Sequence, residues 1–322
     1  MHLRFSVPIV WIILLLAAVA SAQPKPSPSA PVIPPAQTND TTQLIQQWLN
    51  DNKDDDALGL LDEMDQDRVR DFFTKLERQF DGTNIYELGS LKELAVKVLP
   101  VLKEFEETQP YAAWLEAHLD DLDATTEMQR QMKATVAPSV PAAVLPRPPL
   151  KLQRSVWVKE LGKRPWPPLA QTYVPKLKQI FLSEKTPPEL VWVGGVESSF
   201  DPGARSPAGA AGMFQLMPET ARAEHLSLWP FDERYQPEKS AHAAARYLRE
   251  LHDHYDDWPL ALAAYNAGPA RVDKLLKKHK AHSFESIARW LPAETQMYVP
   301  KVEATVRLRE GLALADLKPP VE

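Results

Sequence analysis

The sequence predicts an all-α protein, and three observations support this prediction. Apolar residues recur at helical spacing over long stretches, for example at Leu91, Ala95, Val98 and Leu102, which is the pattern of one helix face. Proline stands at the start of several such stretches, where a missing backbone N–H costs nothing. No run of alternating apolar and polar residues is convincing enough to predict a β-sheet.

The N-terminus has the features of a secretory signal peptide over residues 1–22. Arg4 supplies a positive charge, residues 7–19 are apolar, and Ala20-Ser21-Ala22 fits a cleavage site. An uncleaved membrane anchor is the alternative, although the apolar run is short compared with the roughly 20 residues of a membrane span. We therefore expect export to the periplasm or cell envelope.

The 322-residue chain has no cysteine and a net charge of −6. Disulfides, thiolate metal sites and a lipid attached to cysteine are therefore excluded. The modest charge gives no reason to expect a nucleic-acid partner. The histidines lack the spacing of a zinc site, and the aspartates near residues 253–257 lack that of a calcium loop. We expect no cofactor.

Two proline-rich stretches, residues 23–38 and 134–150, predict linkers. Residues 39–133 between them predict a small helical accessory domain with 22 acidic and 10 basic residues. A solvated acidic face is the simplest interpretation, and a docking surface for a cell-envelope protein is the alternative. Residues 151–322 form the predicted catalytic domain. We expect it to be active alone, and the protein to be a monomer.

The predicted catalytic domain is a series of helices. They cover residues 169–183, 188–197, 218–224, 238–256, 258–266, 271–278 and 293–314. The second is apolar and ends at Glu197. Partial desolvation there raises the pKa of a carboxyl group and keeps it protonated enough to act as an acid.

Four short motifs follow one another in this domain. They are Glu197-Ser198, then Ser206 to Gly212 with Gln215 and Met217-Pro218, then Ala-Tyr-Asn-Ala-Gly at 264–268, then Pro-x-Glu-Thr-x-x-Tyr-Val at 292–299. Four motifs in order over about a hundred residues are far more specific than any one alone. Together they resemble the signatures of the family 1 lytic transglycosylases, whose catalytic core is the soluble-lytic-transglycosylase-like domain.

This resemblance implies a lysozyme-like α fold with a groove for a peptidoglycan glycan strand. It implies cleavage of the β-1,4 bond between N-acetylmuramic acid and N-acetylglucosamine without water, leaving a 1,6-anhydro end. A hydrolytic muramidase on the same fold and a non-catalytic peptidoglycan-binding protein are the alternatives. A well-placed second carboxyl group would favour the muramidase, and loss of Glu197 would have favoured the binding protein.

The resemblance also implies roles for single residues. Glu197 is the predicted general acid and then general base. Substrate contacts are predicted for Ser206, Gln215, Tyr265 and Asn266. Each of these four also has a structural alternative: turn capping, tying down a loop, core packing or helix capping.

Three more residues, Ser198, Glu294 and Tyr298, are predicted to support the site. Glu294 and Tyr298 are one helical turn apart and therefore share a face. From the first motif to the end of the second, residues 197–218, the acidic residues are Glu197 and Asp201, and Asp201 precedes a proline and predicts a turn. Nothing in the sequence places another carboxyl group across a sugar from Glu197, which predicts 1,6-anhydro rather than reducing ends.

Three tryptophans, Trp229, Trp258 and Trp290, are candidates for stacking on sugar rings. Tryptophan in a helical domain more often belongs to the core, so none is predicted as a site residue.

Overall fold

The structure is a computed structural model that describes residues 80–104, 109–137, 145–206 and 208–318. All of these belong to one compact unit, Asn52–Glu322. They form helices and, apart from two isolated bridges, contain no β-structure, which confirms the predicted all-α class. The predicted signal peptide, the first linker and part of the second linker lie outside the described residues.

The helices of the described chain fall before and after the second predicted linker. Before it are α1 (Ile85–Ser90), α2 (Lys92–Glu104) and α3 (Gln109–Lys133). After it are α4 (Leu150–Gly162), α5 (Ala170–Ser183), α6 (Trp192–Ser198), α7 (Pro218–Ala223), α8 (Pro237–Tyr255), α9 (Trp258–Ala267), α10 (Pro269–His279), α11 (Phe284–Ile287) and α12 (Ala293–Glu310). Short 3₁₀ helices cover Pro188–Val191, Glu233–Tyr235, Ala288–Trp290 and Leu314–Asp316.

Two predicted helices differ from the observed ones. The helix predicted over 188–197 is a 3₁₀ turn followed by α6, and such turns are common at helix N-termini. The helix predicted over 293–314 stops at Glu310 because Gly311 adopts a left-handed conformation with φ of 76°. The sequence analysis did not predict α4 or α11.

The last long helix, α12, is the central support of the site. It packs against α4, α6 and α9, and its start contacts α1. At its end, the carboxylate of Glu310 accepts hydrogen bonds from the Trp192 indole at 2.5 Å and from Lys178 at 2.6 Å. These bonds fix the start of α6 and the middle of α5 to the end of α12.

The short helix α6 is held by close packing against an aromatic ring. A Cβ atom added to Gly195 would lie 2.9 Å from the ring of Phe200. The two residues after the helix, Ser199 and Phe200, adopt left-handed conformations with φ of 55° and 65°. Their N–H groups donate to the carbonyls of Gly195 and Gly194, both at 3.1 Å. Glu197 therefore stands two residues before a fixed turn.

The helices before the second predicted linker pack directly on those after it. The backbone N–H of Ala293 donates to the carbonyl of Gly82 at 2.5 Å, and the Gln296 amide donates to that of Thr83 at 3.0 Å. Helix α3 also packs against α4. The division into two domains at residues 134–150, and the independent folding of residues 151–322, stay predictions.

The loop from 201 to 217 carries the second motif and packs against the 3₁₀ helix Glu233–Tyr235. The guanidinium of Arg234 donates to the carbonyls of Gly209 and Leu216, both at 2.8 Å. Gly212 has φ of 77°, and a Cβ atom on it would lie 1.8 Å from the carbonyl oxygen of Arg234. Only glycine fits this position.

Gly212→Ala should therefore lower the free energy of unfolding by about 3 kcal/mol or more, because it combines a strained backbone with a clash against another backbone. Gly162→Ala is the control, since Gly162 is at the exposed end of α4 with no atom in the way. Urea unfolding measures both variants. Similar stability of the two would contradict the packing of this loop.

Candidate active site

A small cavity beside Glu197 is lined by residues of α3, α6, α9 and α12. Four of the predicted site residues line it together: Glu197, Asn266, Glu294 and Tyr298. The first of these is separated from the last by about a hundred positions in the sequence. The fold thus brings parts of the first, third and fourth motifs to one place.

The carboxyl group of Glu197 has a strongly raised pKa. Its side chain is only partly exposed, and the desolvation of its carboxyl group raises the pKa to about 8. The nearby Tyr298 hydroxyl and the charge of Lys301 oppose this rise, whereas the carboxylate of Glu294 adds to it. The group is therefore mostly protonated at neutral pH, as a general acid must be.

The hydroxyl of Tyr298 lies beside this carboxyl group. Burial and the Glu197 charge raise the pKa of Tyr298 well above its ordinary value, so the phenol stays protonated. Within the described residues its hydroxyl has no hydrogen-bond partner of good geometry, although it lies close enough to Glu197 to lower the pKa there. Tyr298 therefore has a proton available for Glu197 or for a bound ligand.

The hydroxyl of Tyr265 is already engaged. It donates to the backbone carbonyl of Phe214 at 2.7 Å and so ties α9 to the loop of the second motif. Burial and the nearby Glu197 raise its pKa well above the ordinary value. Its predicted contact with substrate stays a prediction, in which the Tyr265 oxygen would act as acceptor.

Asn266 holds Glu294 in the cavity. Its Nδ2 donates to Oε1 of Glu294 at 3.0 Å, and its Oδ1 accepts from the hydroxyl of Thr295 at 2.6 Å. The sequence did not position the Glu294 carboxyl group relative to Glu197, and in the structure both line one cavity. Their approach arises from the packing of α12 against α6 and α9, a long-range pairing that local patterns do not encode.

The remaining predicted residues bond to the backbone of the motif loop. Ser198 Oγ donates to the carbonyl of residue 213 at 2.8 Å, and Ser206 Oγ accepts from the N–H of residue 210 at 3.0 Å. Gln215 Nε2 donates to the carbonyl of residue 212 at 2.8 Å. Ser206 and Gln215 are not among the described residues that line the cavity of Glu197. Their substrate contacts stay predictions.

A buried ion pair joins α12 to α3 at this cavity. Lys301 Nζ lies 3.3 Å from Asp121 Oδ2, and the two side chains are 7% and 8% exposed. Burial works against the charge of Lys301, but Asp121 and Asp120 outweigh it and raise the pKa of Lys301. His118, one turn before Asp121, also lines the cavity. Sequence reasoning missed these residues, and the only local signal was a pair of aspartates within a helical stretch that also carries apolar residues.

The described part of the chain contains neither a candidate metal site nor a candidate membrane span. No cluster of histidine and carboxylate side chains there has the arrangement of a metal site. None of the helices there is both long and apolar enough to cross a bilayer.

Comparison with protein families identifies this region. Residues 182–288 match the family model described as "Transglycosylase SLT domain". The match confirms the resemblance predicted from the motifs. It contains the first three motifs, whereas the fourth, at 292–299, lies beyond it.

Several curated and solved proteins are similar. Membrane-bound lytic murein transglycosylase D of Escherichia coli K12 is 43% identical over 123 residues, which is 37% of this chain and 27% of the relative. Soluble lytic murein transglycosylase of Salmonella typhimurium LT2 is 32% identical over 117 residues, which is 34% of this chain and 18% of the relative. The solved 70 kDa soluble lytic transglycosylase of Escherichia coli has a TM-score of 0.40 and 18% identity, covering 86% of this chain and 50% of that one. The chain thus spans less than a third of each of these curated relatives.

Breaking the buried pair should be costly. Asp121→Asn removes the ion-pair partner of the buried Lys301 and leaves only the charge of Asp120 to offset it, so it should lower the free energy of unfolding by about 3 kcal/mol. Replacing both residues, as Asp121→Leu with Lys301→Met, should recover much of this loss. The measurement is urea unfolding of the full chain.

The matched control is Asp123→Asn on the same helix. Asp123 is 36% exposed and pairs with Lys92, so its loss should cost about 1 kcal/mol or less. If Asp121→Asn costs no more than this control, the buried pair does not hold α3 to α12.

Proposed function

We propose that this protein is a peptidoglycan lytic transglycosylase of the cell envelope. It cleaves the β-1,4 bond between N-acetylmuramic acid and N-acetylglucosamine and leaves a 1,6-anhydro end. One observation carries the proposal: a desolvated carboxyl group with a raised pKa, Glu197, lines a cavity at the first motif of the matched domain. The names of the lytic murein transglycosylases similar to this chain support it, and the predicted signal peptide supports the location.

The first step uses the proton of Glu197. It passes to the glycosidic oxygen while the bond from that oxygen to C1 of the muramic acid breaks. Positive charge develops at C1, and the neighbouring 2-acetamido group stabilises it. The pKa of about 8 keeps Glu197 in the acidic form in which this step begins.

The second step returns a proton to the same group. The Glu197 carboxylate takes the proton of the C6 hydroxyl as the C6 oxygen bonds to C1. This hydroxyl belongs to the same sugar, so its effective concentration at C1 is far higher than that of a separate nucleophile. Glu197 ends protonated, and no water or cofactor is consumed.

The neighbours of Glu197 support both of its states. The negative charge of Glu294 raises the pKa of Glu197 and so favours the acid of the first step. The buried Tyr298 hydroxyl favours the carboxylate that exists between the steps, because a hydrogen-bond donor stabilises the charged form. Asn266 holds Glu294 in the position from which it acts.

One observation favours the alternative function, a hydrolytic muramidase. A glycosidase that uses water generally needs a second carboxyl group, and Glu294 shares the cavity with Glu197. In that reaction Glu294 would activate a water molecule. In our proposal it acts through its charge alone, so its loss changes the pH dependence and leaves the product the same.

Glu197→Gln should reduce turnover of peptidoglycan by about a thousand-fold or more, because one substitution removes both proton transfers. The variant should still fold, as circular dichroism can establish, and should still bind the glycan. Release of soluble fragments from purified sacculi measures turnover. A variant that retained more than about a tenth of the activity would contradict the role of Glu197, because general acid–base catalysis contributes about a hundred-fold or more.

The pH profile adds a second readout of the same role. The protonated form of Glu197 is the active one, so kcat/KM should fall as the pH rises through about 8. Glu294→Gln removes a charge that raises this pKa and should move the alkaline limb to lower pH. Glu219→Gln, at an exposed position of α7, should leave the limb in place.

A further inference from the structure

Two aromatic side chains are displayed on the surface outside the cavity of Glu197. Trp229 is 85% exposed and Phe231 is 78% exposed. The other two candidate tryptophans differ from them: Trp258 is buried in the core, and Trp290 stacks on the ring of His279 with centroids 3.5 Å apart. Large apolar side chains displayed together on a surface mark a site of interaction.

The loop that carries these two aromatics is held in shape. The backbone N–H of Ser227 donates to the carboxylate of Glu233 at 2.8 Å, and the N–H of Glu233 donates to the carbonyl of Ser227 at 2.9 Å. Ser227 Oγ donates to the carbonyl of Trp229 at 2.7 Å. A preorganised surface loses little entropy when it binds.

The same loop is anchored to the second motif. Asp232, next to Phe231, pairs with Arg234, and Arg234 donates to the carbonyls of Gly209 and Leu216. The loop of that motif in turn contacts Ser198 and Tyr265 through its backbone carbonyls. The aromatic pair therefore belongs to the same rigid framework as Glu197.

A second, open cavity lies at the base of the aromatic loop. His225, Leu226 and Glu233 from the ends of the loop line it, together with charged side chains of α8 and of the segment after α5. These charged groups are fixed in pairs: His242 bonds to Glu184 at 2.6 Å, and Arg246 bonds to Glu224 at 3.1 Å. These paired side chains present hydrogen-bond donors and acceptors to the cavity at fixed positions.

We propose that Trp229, Phe231 and this cavity form a second, non-catalytic binding site for the glycan strand. The aromatic rings stack on the apolar faces of sugar rings, and the paired ionic side chains bond to hydroxyl and acetamido groups. The inference rests on the proposed function, since it names peptidoglycan as the ligand. Its role is to hold one part of the strand while Glu197 acts on another.

The charges of the cavity favour a glycan over a membrane surface. Three glutamates, at positions 184, 224 and 233, line the cavity together with Lys239, Arg246 and two histidines, so the cavity is not a basic cluster. Anionic lipids attract clusters of lysine and arginine, and carboxylates repel them. A sugar ring has an uncharged apolar face and polar edges. The face can stack on the aromatic pair while the edges bond to the side chains of both charges.

The test measures binding of the full chain to purified sacculi by co-sedimentation. Glu197→Gln is the background, so that the ligand is not consumed. Trp229→Ala with Phe231→Ala should weaken binding by about ten-fold or more, as the loss of two stacking contacts predicts. Trp229→Leu with Phe231→Leu keeps apolar area without an aromatic face and should weaken binding similarly, whereas Trp229→Phe with Phe231→Tyr should retain most of it.

The control is Leu182→Ala, which removes an exposed apolar side chain at the end of α5 and should bind like the parent. Undiminished binding by the double alanine variant would overturn the inference. So would binding of the parent to phosphatidylglycerol vesicles that the substitutions abolish while sacculus binding persists. Binding is measured without turnover, so a failure here is distinct from a failure of the unmodified protein to cleave peptidoglycan.

Discussion

The desolvation of one carboxyl group, that of Glu197, is the constraint on which the rest of the site depends. An ionised carboxylate is costly in such surroundings, so the group keeps its proton up to a pH of about 8. The surrounding structure maintains this burial. The glycines of α6 admit the ring of Phe200, the turn after Ser199 fixes the end of the helix, and α12 supplies Tyr298 and Glu294.

The charges around Glu197 are arranged so that only some of them are compensated. Lys301 is matched by Asp121, a residue from the helices that precede the second predicted linker. Glu294 instead accepts its hydrogen bond from the neutral amide of Asn266. Helix α3 therefore does more than flank the matched domain, because it supplies the counter-charge of a lysine that lies beside the candidate catalytic group.

Local patterns in the sequence predicted the helices well, since apolar spacing reports which face of a helix is buried. They also identified Glu197, because it ends an apolar helix and begins the first of four ordered motifs. The same patterns carry no information on which distant helix covers that face. Tertiary pairing of this kind determines which residues lie near Glu197, namely Asp121, Lys301 and Glu294. It also determines that Trp229 is exposed. These features became visible only in the structure.

Glu294 gives the cavity a carboxyl group besides Glu197 and the ion-paired Asp121. Whether water takes part in the reaction is therefore the most direct test of the proposed chemistry. Digestion of sacculi in water labelled with oxygen-18, followed by mass spectrometry of the muramic acid ends, measures this directly. Closure of the C6 hydroxyl onto C1 predicts 1,6-anhydro ends that carry no label. Label at C1 of most muramic acid ends would show that water is the nucleophile, and would identify the protein as a muramidase instead.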